Sequence, residues 1–199
     1  MEDQKEWKEI MQEPKRLYDE QCKKILSYKQ ILAYIFKECL EKYKDLSLEK
    51  IQELLDEGQS HDKMISKNVE DQSIRGSMIR YDLLYKIKNP QNNNSMWIDI
   101  EPQGMDPGTY DLFHRGFYYA TRMVVRQRND PEGFEEDDFD NLQKVITLWI
   151  CLRHARYKDN TINTYRIEER NIVGHLKHQK EFYNLMEIIL LYPRKRQRS

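Results

Sequence analysis

Asp82, Glu101 and Gln103 are the residues whose types and spacing are best suited to chemistry. Asp82 sits in Arg80-Tyr81-Asp82-Leu83-Leu84-Tyr85, and the other two in Trp97-Ile98-Asp99-Ile100-Glu101-Pro102-Gln103. Both segments are apolar and strand-like, yet each carries a carboxylate in its middle. Such a charge is unfavourable unless something pairs with it, and a divalent cation is one such partner. Side chains two apart in a strand point the same way, so Asp99, Glu101 and Gln103 share a side if Pro102 leaves the strand intact. A neighbouring strand presenting Asp82 there brings two or three carboxylates together. Mg²⁺ prefers oxygen ligands of this kind and keeps several waters. The bound ion lowers the pKa of a water and stabilises charge on a phosphate oxygen. Spacing alone equally fits carboxylates exposed along a sheet edge.

The elements around these residues are expected to be mixed. Tyr18, Cys22, Ile25, Leu32, Ile35, Phe36, Cys39, Leu40 and Tyr43 recur at three- and four-residue steps, predicting helix over 15–44 with Pro14 in the first turn and a break near Ser27-Tyr28. Ser47 caps a second helix running through Asp56, with Gly58 as its stop. Residues 59–73 lack periodicity and read as loop. Strands are expected at about 77–88 and 95–102, joined by the turn-rich segment 89–95. Asp106-Pro107 then predicts a helix over roughly 109–128, with Phe113, Phe117, Ala120 and Val124 facing inward and Arg115, Tyr119, Arg122 and Arg126 almost opposite. After an acidic loop at 129–140, the run 145–151 reads as a buried central strand. Thr161–Arg166 follows as a strand, and 185–192 as a strand or short helix. Helix, strand, strand, helix, strand is the order of a mixed sheet flanked by helices.

The bulk numbers set limits. A chain of 199 residues predicts one domain. It is 39% hydrophobic and 34% charged, but thirteen Tyr, six Phe and three Trp mark it as folded rather than disordered. Cys22, Cys39 and Cys151 have no metal-ligand spacing and read as reduced, buried thiols. The first residues lack the pattern of a signal peptide, and no run approaches the roughly 18 apolar residues of a membrane span, so the expected location is the cytoplasm. Net charge is −1, unevenly spread: Asp130–Asp140 holds seven acids and no base, while 141–199 holds twelve Lys+Arg against five Asp+Glu. This asymmetry suits a surface that meets a polyanion, and equally a solvated one.

Other motifs carry less. His175 and His178 lack a third nearby ligand for zinc, and Asp137-Asp138-Phe139-Asp140 lacks the frame of a calcium loop. No phosphate-binding loop and no nucleophile elbow is present. The tail Arg194-Lys195-Arg196-Gln197-Arg198 suits salt-sensitive phosphate contacts or a solvated terminus.

The arrangement Asp82…Glu101-Pro102-Gln103 resembles the PD-(D/E)XK nuclease superfamily, and more narrowly its nuclease-family transposases, relatives of the bacterial Rpn recombination-promoting nucleases. The resemblance also takes in Ile31-Leu32-Ala33-Tyr34-Ile35, 44–51, Arg115-Gly116-Phe117-Tyr118-Tyr119-Ala120-Thr121-Arg122-Met123, Gln127, 140–145, 148–151 and Val173-Gly174-His175, spanning about residues 25–192. It implies a single restriction-endonuclease-like α/β domain over 1–199, with a helical N-terminal part (1–58), a mixed-sheet core (74–192) and a basic tail (193–199). Asp82 would match the Asp of the first half-motif, with Tyr81 where Pro gives that half its name, and Glu101 would match the D/E position. These two are the implied ligands of Mg²⁺ or Mn²⁺. Gln103 stands in the Lys position, where it orients a water or phosphate oxygen but carries no charge. Glu38 is the additional acid that such nucleases draw from their first long helix, or simply an exposed helix residue. Arg115 is a candidate contact to the scissile phosphate, and Arg122 and Arg126 to the backbone, on a helix face that solvent alone also explains. Tyr118, Tyr119 and Gln127 are candidates to support the site. The implied activity is DNA endonucleolytic cleavage in recombination or transposition, with a homodimer suited to cutting two strands. The alternative is an inactive protein of the same fold that binds DNA or a protein partner.

Overall fold

The computed structural model describes residues 20–57, 69–72, 78–88, 94–128, 130–131 and 133–194. Pro14, Tyr18, Gly58, the turn at 89–93 and the tail beyond Arg194 lie outside them. Among the described residues no helix is long and apolar enough to cross a membrane.

The N-terminal helical part breaks where the sequence predicts. Helix α1 is described over 20–26 and α2 spans Lys29–Cys39, with Ser27 Oγ donating to the Lys24 carbonyl between them. Helix α2 ends five residues short of the expected boundary. Leu40 turns extended while its N–H still reaches the Phe36 carbonyl, and a 3₁₀ turn follows at Glu41–Tyr43. Leu40 and Tyr43 stay buried, because a 3₁₀ turn keeps three-residue spacing and hides the helix end from a periodicity count. Helix α3 (Leu48–Glu57) starts as expected, with Ser47 Oγ accepting from the Lys50 N–H at 3.2 Å.

The fold is α/β, built on a five-stranded mixed sheet. Its strands are β3 (Leu83–Lys88), β4 (Ser95–Gln103), β5 (Lys144–Cys151), β6 (Thr161–Arg166) and β7 (Met186–Tyr192), ordered β3-β4-β5-β7-β6. The three central strands run parallel, and β3 and β6 pair antiparallel at the edges. The predicted strand at 77–88 is two strands. Met78–Tyr81 (β2) pairs with Val69–Gln72 (β1) in a separate two-stranded sheet, so the expected loop 59–73 contains a strand. The bend between β2 and β3 falls on Asp82.

One sheet face presents Tyr85, Ile98, Ile100, Ile146, Leu148 and Ile189 to α1–α3, which bury Leu26, Leu32, Phe36, Ile51 and Leu55 against it. The other face presents Leu84, Trp97, Trp149, Ile188 and Leu190 to helix α4 (Leu112–Arg126). Its cap is Asp111, whose carboxylate accepts from the Phe113 N–H at 2.9 Å, rather than Asp106. The Asp106 N–H donates to the Arg153 carbonyl, and its carboxylate pairs with Lys158 at 2.6 Å.

The inward face of α4 is shifted from the expected one: Ala120 is buried and Phe113 and Val124 pack partly buried against the core, but the centre of the contact lies elsewhere. Leu112, Gly116, Ala120 and Met123 are buried, whereas Phe117 is 47% exposed and Phe113 packs on Tyr165 at 4.5 Å. Gly116 decides the rotation. A Cβ there would lie 2.8 Å from Ile188 Cγ2 and 2.9 Å from Trp149 Nε1, so the helix backbone rests directly on β5 and β7. Thr147 Oγ1 donates to the Gly116 carbonyl at 3.3 Å across the same contact. Gly116→Val should therefore destabilise by about 2 kcal/mol or more, overpacking outweighing the small gain in helix propensity. A thermal midpoint at or above that of the wild type would show that α4 does not press on the sheet here.

Candidate active site

Strand β4 carries the site because it runs further than its antiparallel partner. The β3–β4 ladder ends at Leu83 opposite Ile100, while β4 continues beside β5 through Pro102 to Gln103. Past the end of the ladder, the Asp82 N–H donates at 2.9 Å to the Glu101 carboxylate instead of to a backbone carbonyl. The bend that separates the two sheets thus puts Asp82 against Glu101.

Asp99, Glu101 and Gln103 share the α4 side of β4, as alternation requires. Asp99 is fully buried, and among the described residues the polar group beside its carboxyl is the Glu101 carboxyl, an acid like itself. Its ladder neighbours explain this: Leu84 on β3 is apolar, and Thr147 on β5 gives its hydroxyl to Gly116. Burial first, and then the charges of Glu101 and Asp82, raise the Asp99 pKa well above the carboxylate range, with Arg115 opposing. Burial and the charge of Asp82 push Glu101 up to about 8, opposed by the Asp82 N–H and Arg115.

Arg115 forms the opposite wall. Its guanidinium lies 5.0 Å from the Trp149 ring and 5.3 Å from that of Tyr119. It donates to the Tyr119 hydroxyl at 3.2 Å, the Tyr110 hydroxyl at 3.2 Å and Gln103 Oε1 at 3.4 Å. Gln103 Nε2 in turn donates to the Met105 carbonyl at 2.9 Å. Tyr119 packs edge-on against both Tyr81 and Trp149, which fixes its ring. A cationic donor fork held in this way is suited to an anionic oxygen next to the carboxylates.

The remaining predicted residues are placed differently. Arg122 is half-buried on the Arg115 stripe. Arg126 turns onto Trp97, with its guanidinium 6.0 Å from the ring, and pairs with Asp130 at 3.5 Å. Gln127 is buried away from the carboxylates. It receives the Gln143 N–H at 2.7 Å and donates to the Gln143 carbonyl at 2.9 Å, tying the end of α4 to the start of β5. Tyr118 is exposed. Glu38 lies exposed on α2, which packs on the other sheet face, and is not among the charges that move Asp99 or Glu101.

Two contributors escape sequence reasoning. Asp99 was legible only as a residue sharing a side with Glu101; its burial beside another acid depends on Leu84 and Thr147. Lys23, whose ammonium pairs with Asp82 Oδ1, comes from α1 and has no sequence signal at all.

Among the described residues no group of three or more His, Cys, Asp or Glu forms a ready ligand set. The donor chemistry nevertheless suits a hard cation held by few carboxylates, the remainder of its shell being water and substrate. The Asp99 and Glu101 carboxyls set against each other, with no cationic side chain bonded to either among the described residues, are the observation that fits such an ion. Comparison with protein-family models, curated proteins and solved structures gave no match to this chain.

Two outcomes follow. Both buried carboxyls have raised values, so the folded state keeps protons that the unfolded chain releases. In the absence of divalent ions the contribution of Glu101 to stability should fall as pH rises from the ordinary 4.5 towards about 8. Urea midpoints across that range check this, and Glu101→Gln should flatten the slope. Gln127→Leu removes both bonds to Gln143 and should cost about 2–4 kcal/mol of stability, leaving divalent-ion affinity unchanged.

Proposed function

We propose that this protein is a metal-dependent DNA endonuclease, hydrolysing phosphodiester bonds in recombination or transposition. The observation that carries the reading is the buried Asp99–Glu101 pair with Asp82 at its edge and a fixed Arg115 opposite. Carboxylates gathered in a protein interior are stabilised by a cation, and Arg115, whose field reaches both buried carboxyls, is a donor fork suited to phosphate. The mixed sheet with its helix-linked parallel strands is consistent with the expected restriction-endonuclease-like arrangement.

Asp82 and Glu101 would hold Mg²⁺ or Mn²⁺, with Asp99 behind Glu101. When bound, the ion lowers the pKa of a water and neutralises charge on the phosphate. Arg115 contacts a phosphate oxygen, kept in place by Tyr119, Tyr110 and Gln103. Gln103 orients through its amide and adds no charge. The basic C-terminal third supplies further phosphate contacts, a homodimer would place two sites on two strands, and the reduced thiols Cys39 and Cys151 fit a reducing cytoplasm.

The uncharged amide of Gln103, already committed to Met105 and Arg115, favours a second reading: a binding module of the same fold. A plasmid nicking assay with Mg²⁺ or Mn²⁺ separates the two. Wild type should nick, and Asp82→Ala, Glu101→Gln and Asp99→Asn should each lose about 100-fold or more in rate. Equal nicking by all four proteins would remove the assigned site. No nicking by wild type, with salt-sensitive DNA binding retained, would establish the binding module.

A further inference from the structure

We propose that Lys23 is the resident counter-cation of this site, and that a divalent ion must displace it in order to bind. The inference rests on the metal site proposed above and concerns how that site is regulated. Among the described residues Lys23 is the one cation in ion-pair contact with any of Asp82, Asp99 and Glu101. Arg115 acts on Asp99 and Glu101 through its field, and the hydrogen bonds it makes go to Tyr110, Tyr119 and Gln103 instead.

The pair is accessible, with Lys23 30% and Asp82 22% exposed, so solvent and ions reach it. A divalent ion on Asp82 would stand next to the ammonium, and the two like charges exclude one another. Lys23 can leave at low cost because the described part of α1 that carries it buries little apolar surface. Of residues 20–26 only Leu26 is buried, and the chain leaves the helix at Ser27–Tyr28, just after it. Few buried apolar contacts and a helix break mark a segment that opens locally. The ion pair is the contact that ties this described part of α1 to Asp82. Ion binding and release of α1 are one linked equilibrium, which the ion and Lys23 bias in opposite directions.

This arrangement makes the site self-neutralising at Asp82 and lowers its affinity for the ion. Removing the ammonium should tighten ion binding, opposite to the effect of removing a residue that merely supports the site. The test is calorimetric titration of Mn²⁺ into full-length wild type, Lys23→Met and Lys23→Arg, with amide hydrogen exchange of residues 20–26 in wild type. Lys23→Met should bind Mn²⁺ about two- to fivefold more tightly than wild type, the range for a partly exposed ion pair, and Lys23→Arg should stay near wild type. Exchange in 20–26 should quicken when Mn²⁺ saturates the wild type. Equal or weaker binding by Lys23→Met, with wild type binding normally, overturns the role of Lys23 and leaves the metal site standing. Failure of every variant to bind Mn²⁺ removes the metal site and this inference with it.

Discussion

The close approach of helix α4 to strands β5 and β7 at Gly116 is the constraint on which the other features depend. With no side chain at that position, the helix backbone touches Ile188 and Trp149 directly. This sets the rotation of α4, and the rotation decides which residues meet the sheet. Arg115 comes to lie over Trp149 instead of in solvent, and Tyr119 fills the space between Trp149 and Tyr81. The same approach occupies the Thr147 hydroxyl and so leaves Asp99 facing the Glu101 carboxyl. One missing methyl group thus positions the cation and isolates the carboxylate that it faces.

The electrostatics of the site follow from where β3 stops. Had the hairpin continued, Asp82 would have joined a regular ladder and its N–H would have gone to a backbone carbonyl. Because β2 belongs to a different sheet, the chain bends at Asp82, and the freed N–H goes to Glu101. That bond favours the ionised form of Glu101, while burial and the neighbouring Asp82 charge favour the protonated form and prevail. The cluster stores unfavourable interaction that stability alone does not require, which is common where a site is prepared for a ligand.

Much of the framework was legible because it depends on short-range patterns. The break at Ser27–Tyr28, the Ser47 cap, strands β4 to β7 and the shared side of Asp99, Glu101 and Gln103 all follow from local spacing. The misreadings have local causes too. Leu40 and Tyr43 fit helix and 3₁₀ periodicities equally, and Asp106 offered a cap that the chain uses for Lys158. The face of α4 was misassigned because Phe113 and Phe117 are apolar but lie beside the contact, whereas Gly116 makes it. Hydrophobicity counts give glycine no weight. Arg126 and Gln127, read as candidates for the site, instead pack on Trp97 and clamp Gln143, roles that depend on residues far along the chain.

The sequence by itself determined that two carboxylates and an amide stand on one side of one strand, since backbone alternation permits nothing else. Only the tertiary structure decided what surrounds them: a bend at Asp82, an Asp99 set against Glu101, a stacked Arg115 and an ammonium from α1. Alternation is a property of consecutive peptide units and can be read residue by residue. Burial, pKa and ion pairing depend on which distant groups exclude water from a point, and packing alone brings those groups there.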